Sequence, residues 1–180
     1  MTVRVAPFAS VSDHARDISI TFQAPSKTFN IAGIVSRYAI IPSEEIRSKF
    51  YPWLSANELD EPTLFAPIAT VAAFRKGEEW RRQMLAYIED NIRFVEDFCK
   101  ANIPAIRPQA SFLIWLNSQD LNLSHDQLLD LFIDKAHLAL NDGEMFGPGG
   151  EGFMRLNVAE PRSVLEQALL QLEEAVRGLG

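Results

Sequence analysis

The chain has 180 residues, 47% hydrophobic and 23% charged, which supplies enough apolar material for a substantial core and argues against disorder. Its formal net charge of −7, with no dense Lys/Arg run, argues against a nucleic-acid partner. One cysteine, Cys99, excludes an intrachain disulfide; no apolar run reaches membrane-spanning length, and no basic-then-apolar leader opens the chain, so a soluble, cytoplasmic protein is expected.

In chain order, Asp17 to Gln23 alternates Ile18, Ile20 and Phe22 against polar residues, the period of a half-buried strand, and Ala24-Pro25-Ser26 breaks it. The mostly apolar stretch Ile34 to Ile41, stopped by Pro42, predicts a buried strand. Lys27 therefore falls on a connection between strands. Ser43 followed by Glu44 and Glu45 predicts an N-cap and a helix toward Leu54, cut short by Pro52. A second helix, rich in small residues, is expected from Glu61 to Arg75, ending near Gly77. The longest periodic element is Glu78 to Ala101. There Met84, Ile88, Ile92, Val95 and Cys99 recur at helical spacing, and the helix is expected to bridge two lobes. Ser111 to Asn117 reads as a strand, Ser124 with Gln127 as a capping box for a helix through His137, and Leu138 to Leu140 as a short extended segment. The glycine-rich Gly147 to Gly152 leads into a strand from Phe153 to Val158. Pro161 then opens a last helix with an apolar stripe of Leu165, Ala168, Leu169, Leu172 and Val176. From Glu78 onward the pattern is that of a small α/β unit; the residues before it read as part of something larger.

Two side chains invite a chemical explanation. Lys27 sits alone in an uncharged, partly apolar stretch, Ala24 to Gly33. An ammonium held out of water is penalised, and the free amine is then a nucleophile toward carbonyls. Spacing alone leaves a solvated loop lysine equally open. Arg155 shares a strand face with Phe153 and Asn157, and its planar fork suits a carboxylate, although a plain surface arginine also satisfies the pattern. The glycine loop precedes a strand and contains Pro148, so it lacks the strand-loop-helix order of a phosphate cradle and is read as a substrate-side loop. His14, His125 and His137 have no metal-ligand spacing, and no metal is expected. Trp80 and Trp115 are read as core.

Ser26-Lys27-Thr28-Phe29-Asn30 with the following Ile-Ala-Gly, and Phe153-Met154-Arg155-Leu156-Asn157 followed by Pro161-Arg162, resemble the two signature segments of fold-type I pyridoxal-phosphate (PLP) enzymes, in the form of the MalY/PatB cystathionine β-lyase group. Pro7 to Ser10, Ala72-Ala73-Phe74, Gly77, Trp80 and Phe146-Gly147 extend the likeness along nearly the whole chain. The resemblance covers the C-terminal half of such an enzyme. It implies an α/β fold in which residues 1–77 are the remnant of the large PLP-binding domain, and 78–180 form the small C-terminal domain with the long helix joining them. It implies Lys27 as the residue covalently bound to PLP and as the base that takes the substrate Cα proton. Arg155 would bind the substrate α-carboxylate. The aspartate for the pyridinium nitrogen, the ring-stacking aromatic and the phosphate donors would come from an N-terminal half absent from this sequence. The phosphate-binding arginine that many aminotransferases carry eight residues after the lysine is here Val35, with Arg37 two positions later, and Ala24 stands where they often have serine. Both departures favour a carbon–sulfur β-lyase acting on a cystathionine-like amino acid. The alternatives are an aminotransferase and a catalytically incomplete module needing its N-terminal half. A homodimer is implied for the intact enzyme.

Overall fold

The computed structural model describes residues 6–100 and 103–179. The chain divides into two compact units, Met1–Met84 and Leu85–Gly180.

In the first unit, a short helix α1 (Asp13–Asp17) starts at Ser12, whose Oγ accepts the Ala15 N–H at 3.0 Å. The strand expected from Asp17 is thereby reduced to β1 (Thr21–Gln23), which pairs antiparallel with β2 (Tyr38–Ile40). The run from Ile34 is not a buried strand either. Ala32–Ile34 is a 3₁₀ turn, Val35 takes a left-handed φ of 54°, and Val35 and Ile40 are exposed. Helix α2 (Glu44–Ala56) has Ser43 as its N-cap, as expected, but runs through Pro52. The helix continues past the proline, and its last turn is closed by the Asn57 and Glu58 N–H groups donating to the Leu54 and Ser55 carbonyls. Helix α3 (Phe65–Lys76) begins later than expected, with Pro67 in a first turn whose N–H groups have no intrahelical partners to lose. Among the described residues of this unit the buried aliphatic side chains are Ala15, Ile41 and Ala66, whereas Phe22, Trp53, Phe65, Ile68 and Phe74 are all more than half exposed. A unit with so little interior of its own leaves an unusually large apolar surface.

Helix α4 (Glu78–Cys99) contains the boundary between the units and matches the expected element; Ala101 lies outside the described residues. The second unit is a four-stranded antiparallel sheet in the order β3 (Ala105–Ile106), β4 (Leu113–Asn117), β6 (Phe153–Asn157), β5 (Asn141–Asp142). The edge strands are two residues long: β3 was not expected, and β5 falls just after the expected extended segment. Helix α5 (His125–Leu129) carries the anticipated Ser124–Gln127 capping box and continues as a π-helical stretch, Asp130–Lys135. The last helix, α6 (Arg162–Arg177), has Pro161 as its N-cap. One sheet face carries Ile114, Leu116, Met154 and Leu156, and the apolar stripes of α4 and α6 supply Ile88, Ile92, Val95, Leu165, Leu169 and Leu172 to the same buried set. The fold is mixed α/β.

Two buried polar groups fix this core. Asn91 is fully buried on the apolar stripe of α4; its Nδ2 donates to the carbonyls of Val158 and Glu160, both at 2.9 Å, and its Oδ1 accepts from Arg162 Nε at 2.9 Å. It thus ties the end of β6 to the start of α6. Asn91→Leu strands three polar groups at once, and urea unfolding is expected to show a loss of about 2–3 kcal/mol. Cys99 is 2% exposed, and burial pushes its thiol up to about 11. Native chain at pH 8 should hold about a hundredfold fewer thiolates than the unfolded chain and resist thiol reagents until denatured. The thiol's contribution to stability is complete below its ordinary value of 9.0 and is lost as pH rises through about 11.

Candidate active site

The first site element is the turn that holds Lys27. The Phe29 N–H donates to the Pro25 carbonyl at 3.0 Å and the Ile31 N–H to the Ser26 carbonyl at 2.9 Å, with Asn30 at a left-handed φ of 52°. This is the closure of a single helical turn, for which asparagine is the best non-glycine residue. Pro25 is buried beneath it. The Phe29 ring packs edge-on against Phe74 at 5.5 Å and beside Trp80 at 6.3 Å. Further along, buried Ser36 hydrogen-bonds Thr70 on α3. The backbone at Lys27 is therefore braced from both sides, while the side chain itself is exposed. Phe29 packs on Phe74 and Trp80, and Lys27 itself is exposed, not held out of water as its apolar sequence setting suggested.

Gly77 makes the bracing possible. A Cβ there would stand 2.5 Å from the Ala73 carbonyl oxygen and 2.7 Å from the Phe29 ring. The same residues, with Ile31, Ala69 and Ala72, line a shallow apolar depression of about 370 Å³. Gly77→Ala is expected to dislodge Phe29, to destabilise the chain by about 1–3 kcal/mol, and to speed tryptic cleavage after Lys27. Limited proteolysis beside urea unfolding checks both effects.

The second element is the sheet face opposite the core. Arg155 lies on β6, in register with Trp115 on β4 and Asn141 on β5. Its Nη2 donates to Asn141 Oδ1 at 2.7 Å, its guanidinium carbon lies 4.4 Å over the Phe146 ring, and its Nε is buried without a partner. Trp115 meets Phe146 edge-on at 5.5 Å and Phe153 at 6.3 Å, so it belongs to this aromatic face and not to the buried core. The guanidinium is thus a planar cation held by one amide and one ring face, with one buried donor left unpaired. Sequence reading named Lys27 and Arg155 as candidates and did not name Asn141 or the packing of Phe146 on the guanidinium; the place of Asn141 follows from strand register, and an isolated two-residue edge strand gives no periodic signal.

No family model matches the chain. It is 41% identical over 173 residues to cystathionine beta-lyase PatB of Bacillus subtilis, covering 94% of this chain and 45% of that protein. It is 30% identical over 177 residues to protein MalY of Escherichia coli, covering 96% and 45%. Cystalysin from Treponema denticola, whose crystal structure contains pyridoxal 5'-phosphate, superposes with a TM-score of 0.91 at 33% identity, over 97% of this chain and 45% of that one. The chain matches the C-terminal half of the MalY/PatB group of fold-type I enzymes. It spans about half the length of these relatives. The matched lengths take in both the turn of Lys27 and the strand of Arg155.

Proposed function

We propose that this chain furnishes the C-terminal part of a PLP-dependent carbon–sulfur β-lyase acting on a cystathionine-like amino acid. The observation that carries the reading is the 41% identity to PatB along 94% of the chain, joined to a lysine presented on a braced turn. The residues present fit PLP in part. Lys27 offers an accessible amine for a covalent link, and the partnerless buried Nε of Arg155 calls for an acceptor that a substrate carboxylate provides. When bound, PLP supplies an electron sink for the pair left on Cα.

The chain's own residues divide the remaining work. Arg155 grips the α-carboxylate and orients the Cα–H bond; Lys27, once free, takes that proton. Breaking the Cβ–S bond releases a thiol, and hydrolysis of the remainder gives pyruvate and ammonia. The exposed apolar surface of the first unit supports the further reading that an N-terminal portion must cover it before the site is complete, and that the chain alone holds PLP weakly. Homodimerisation of the complete protein and a cytoplasmic location belong to the same proposal; no described helix is long and apolar enough to cross a membrane.

The test compares the 180-residue chain with the chain completed by a PatB-type N-terminal portion. Completed protein should yield a visible absorbance with PLP, fixed to Lys27 by borohydride, and should convert cystathionine to pyruvate with no keto-acid acceptor. Dependence on an acceptor would replace the lyase with an aminotransferase. Tight stoichiometric binding by the chain alone would overturn its incompleteness.

A further inference from the structure

We propose that His125 is a positioning residue for Arg155, acting as a tether on the segment that holds the guanidinium in place. This rests on the reading of Arg155 as the substrate-carboxylate residue.

The two supports of Arg155 lie on either side of a short acidic segment. Asn141, which accepts its Nη2 donor, comes just before Asp142; Phe146, which lies against its face, comes just after Glu144. His125, the first residue of α5, meets both acids: Nδ1 is 3.0 Å from Glu144 Oε1 and Nε2 is 3.5 Å from Asp142 Oδ2. Asp142 also accepts the Glu144 N–H at 3.1 Å, so the acids are locked to each other as well as to the ring. Beyond them the chain closes backbone on backbone. A Cβ on Gly143 would lie 2.1 Å from the Gly150 carbonyl oxygen and 2.6 Å from that of Phe153, and the Gly143 N–H donates to the Phe153 carbonyl at 2.9 Å. With no slack between residues 143 and 153, a displacement at Glu144 passes to Phe146 and to the first residue of β6.

The charge logic follows from the imidazole. As an imidazolium both nitrogens carry protons and both contacts are charge-assisted; as a neutral ring it donates from one nitrogen and presents a lone pair to the other carboxylate. The charged groups facing it are Asp142 and Glu144, and Asp126 follows it on its own helix. Removing the ring removes both contacts at once.

The experiment follows the Arg155 Nε–H by NMR in the 180-residue chain, its solvent exchange being normalised to that of Arg162 Nε, which is hydrogen-bonded elsewhere in the same unit. His125→Leu should raise the exchange ratio about two- to five-fold over wild type at the same pH. His125→Asn, which keeps a donor near the Nδ1 position, should be intermediate. A His125→Leu ratio equal to wild type overturns the tether; should that variant fail to fold, Asp142→Asn with Glu144→Gln reads the same quantity. In the completed protein, His125→Leu should raise KM for cystathionine with kcat held. If Arg155→Met leaves KM unchanged while the exchange result stands, the carboxylate role of Arg155 is what fails. If Arg155→Met raises KM and His125→Leu moves neither exchange nor KM, the tether is refuted.

Discussion

Lys27→Ala in the completed protein is expected to abolish borohydride-fixable PLP and to cut β-elimination by about 10³-fold or more, since under the proposed function one substitution removes both the covalent anchor and the base for the Cα proton. The position makes this a clean measurement. The side chain is exposed, and the turn beneath it is held by backbone bonds from Pro25 to Phe29 and from Ser26 to Ile31 that no side chain at 27 contributes to. Urea unfolding of the variant should therefore stay within about 0.5 kcal/mol of wild type, as for other surface changes. Lys27→Arg provides the control. It keeps the charge, but a guanidinium does not deprotonate to a nucleophile, so it should be as inactive as alanine. An arginine variant retaining a borohydride-fixed cofactor would show that another amine carries the link.

Arg155→Met should separate function from stability in the opposite sense. In the completed protein kcat/KM for cystathionine should fall by about 10²-fold or more, with most of the loss in KM, because under the proposed function the substrate carboxylate loses its charged bidentate partner. Stability should be unchanged or slightly raised. The guanidinium sits among Phe146, Trp115 and Phe153 with its Nε buried and unpaired, and an unbranched thioether fills such a space without an unsatisfied donor. A methionine variant that is both fully active and markedly less stable would identify Arg155 as a structural residue. Retaining a costly cation in an aromatic setting is the trade expected of a binding site.

Much of this architecture is written in local patterns. The stripe from Met84 to Cys99, the Ser124 capping box and the strand around Arg155 are each visible within a dozen residues, and each forms where its period or cap places it. The errors cluster in the first unit. Alternation at Ile18, Ile20 and Phe22 and the apolar run from Ile34 resemble strands, yet only Thr21–Gln23 and Tyr38–Ile40 pair. A strand needs a neighbour and a covering layer, and this unit buries few aliphatic side chains among its described residues, so apolar pattern alone did not secure regular structure.

By itself the sequence determined the helix stripes, the caps, the family likeness and the two residues on which chemistry is proposed, because these depend on side-chain type and on spacing along one element. Only the tertiary structure decided that Gly77 must lack a Cβ to seat Phe29, that Asn91 is a buried tie and not a surface amide, that Asn141 and Phe146 meet Arg155, and that His125 meets the two acids Asp142 and Glu144. Those facts arise from contacts between segments distant in the chain. Strand register and close backbone approach fix such contacts, and neither leaves a periodic mark on the residues involved.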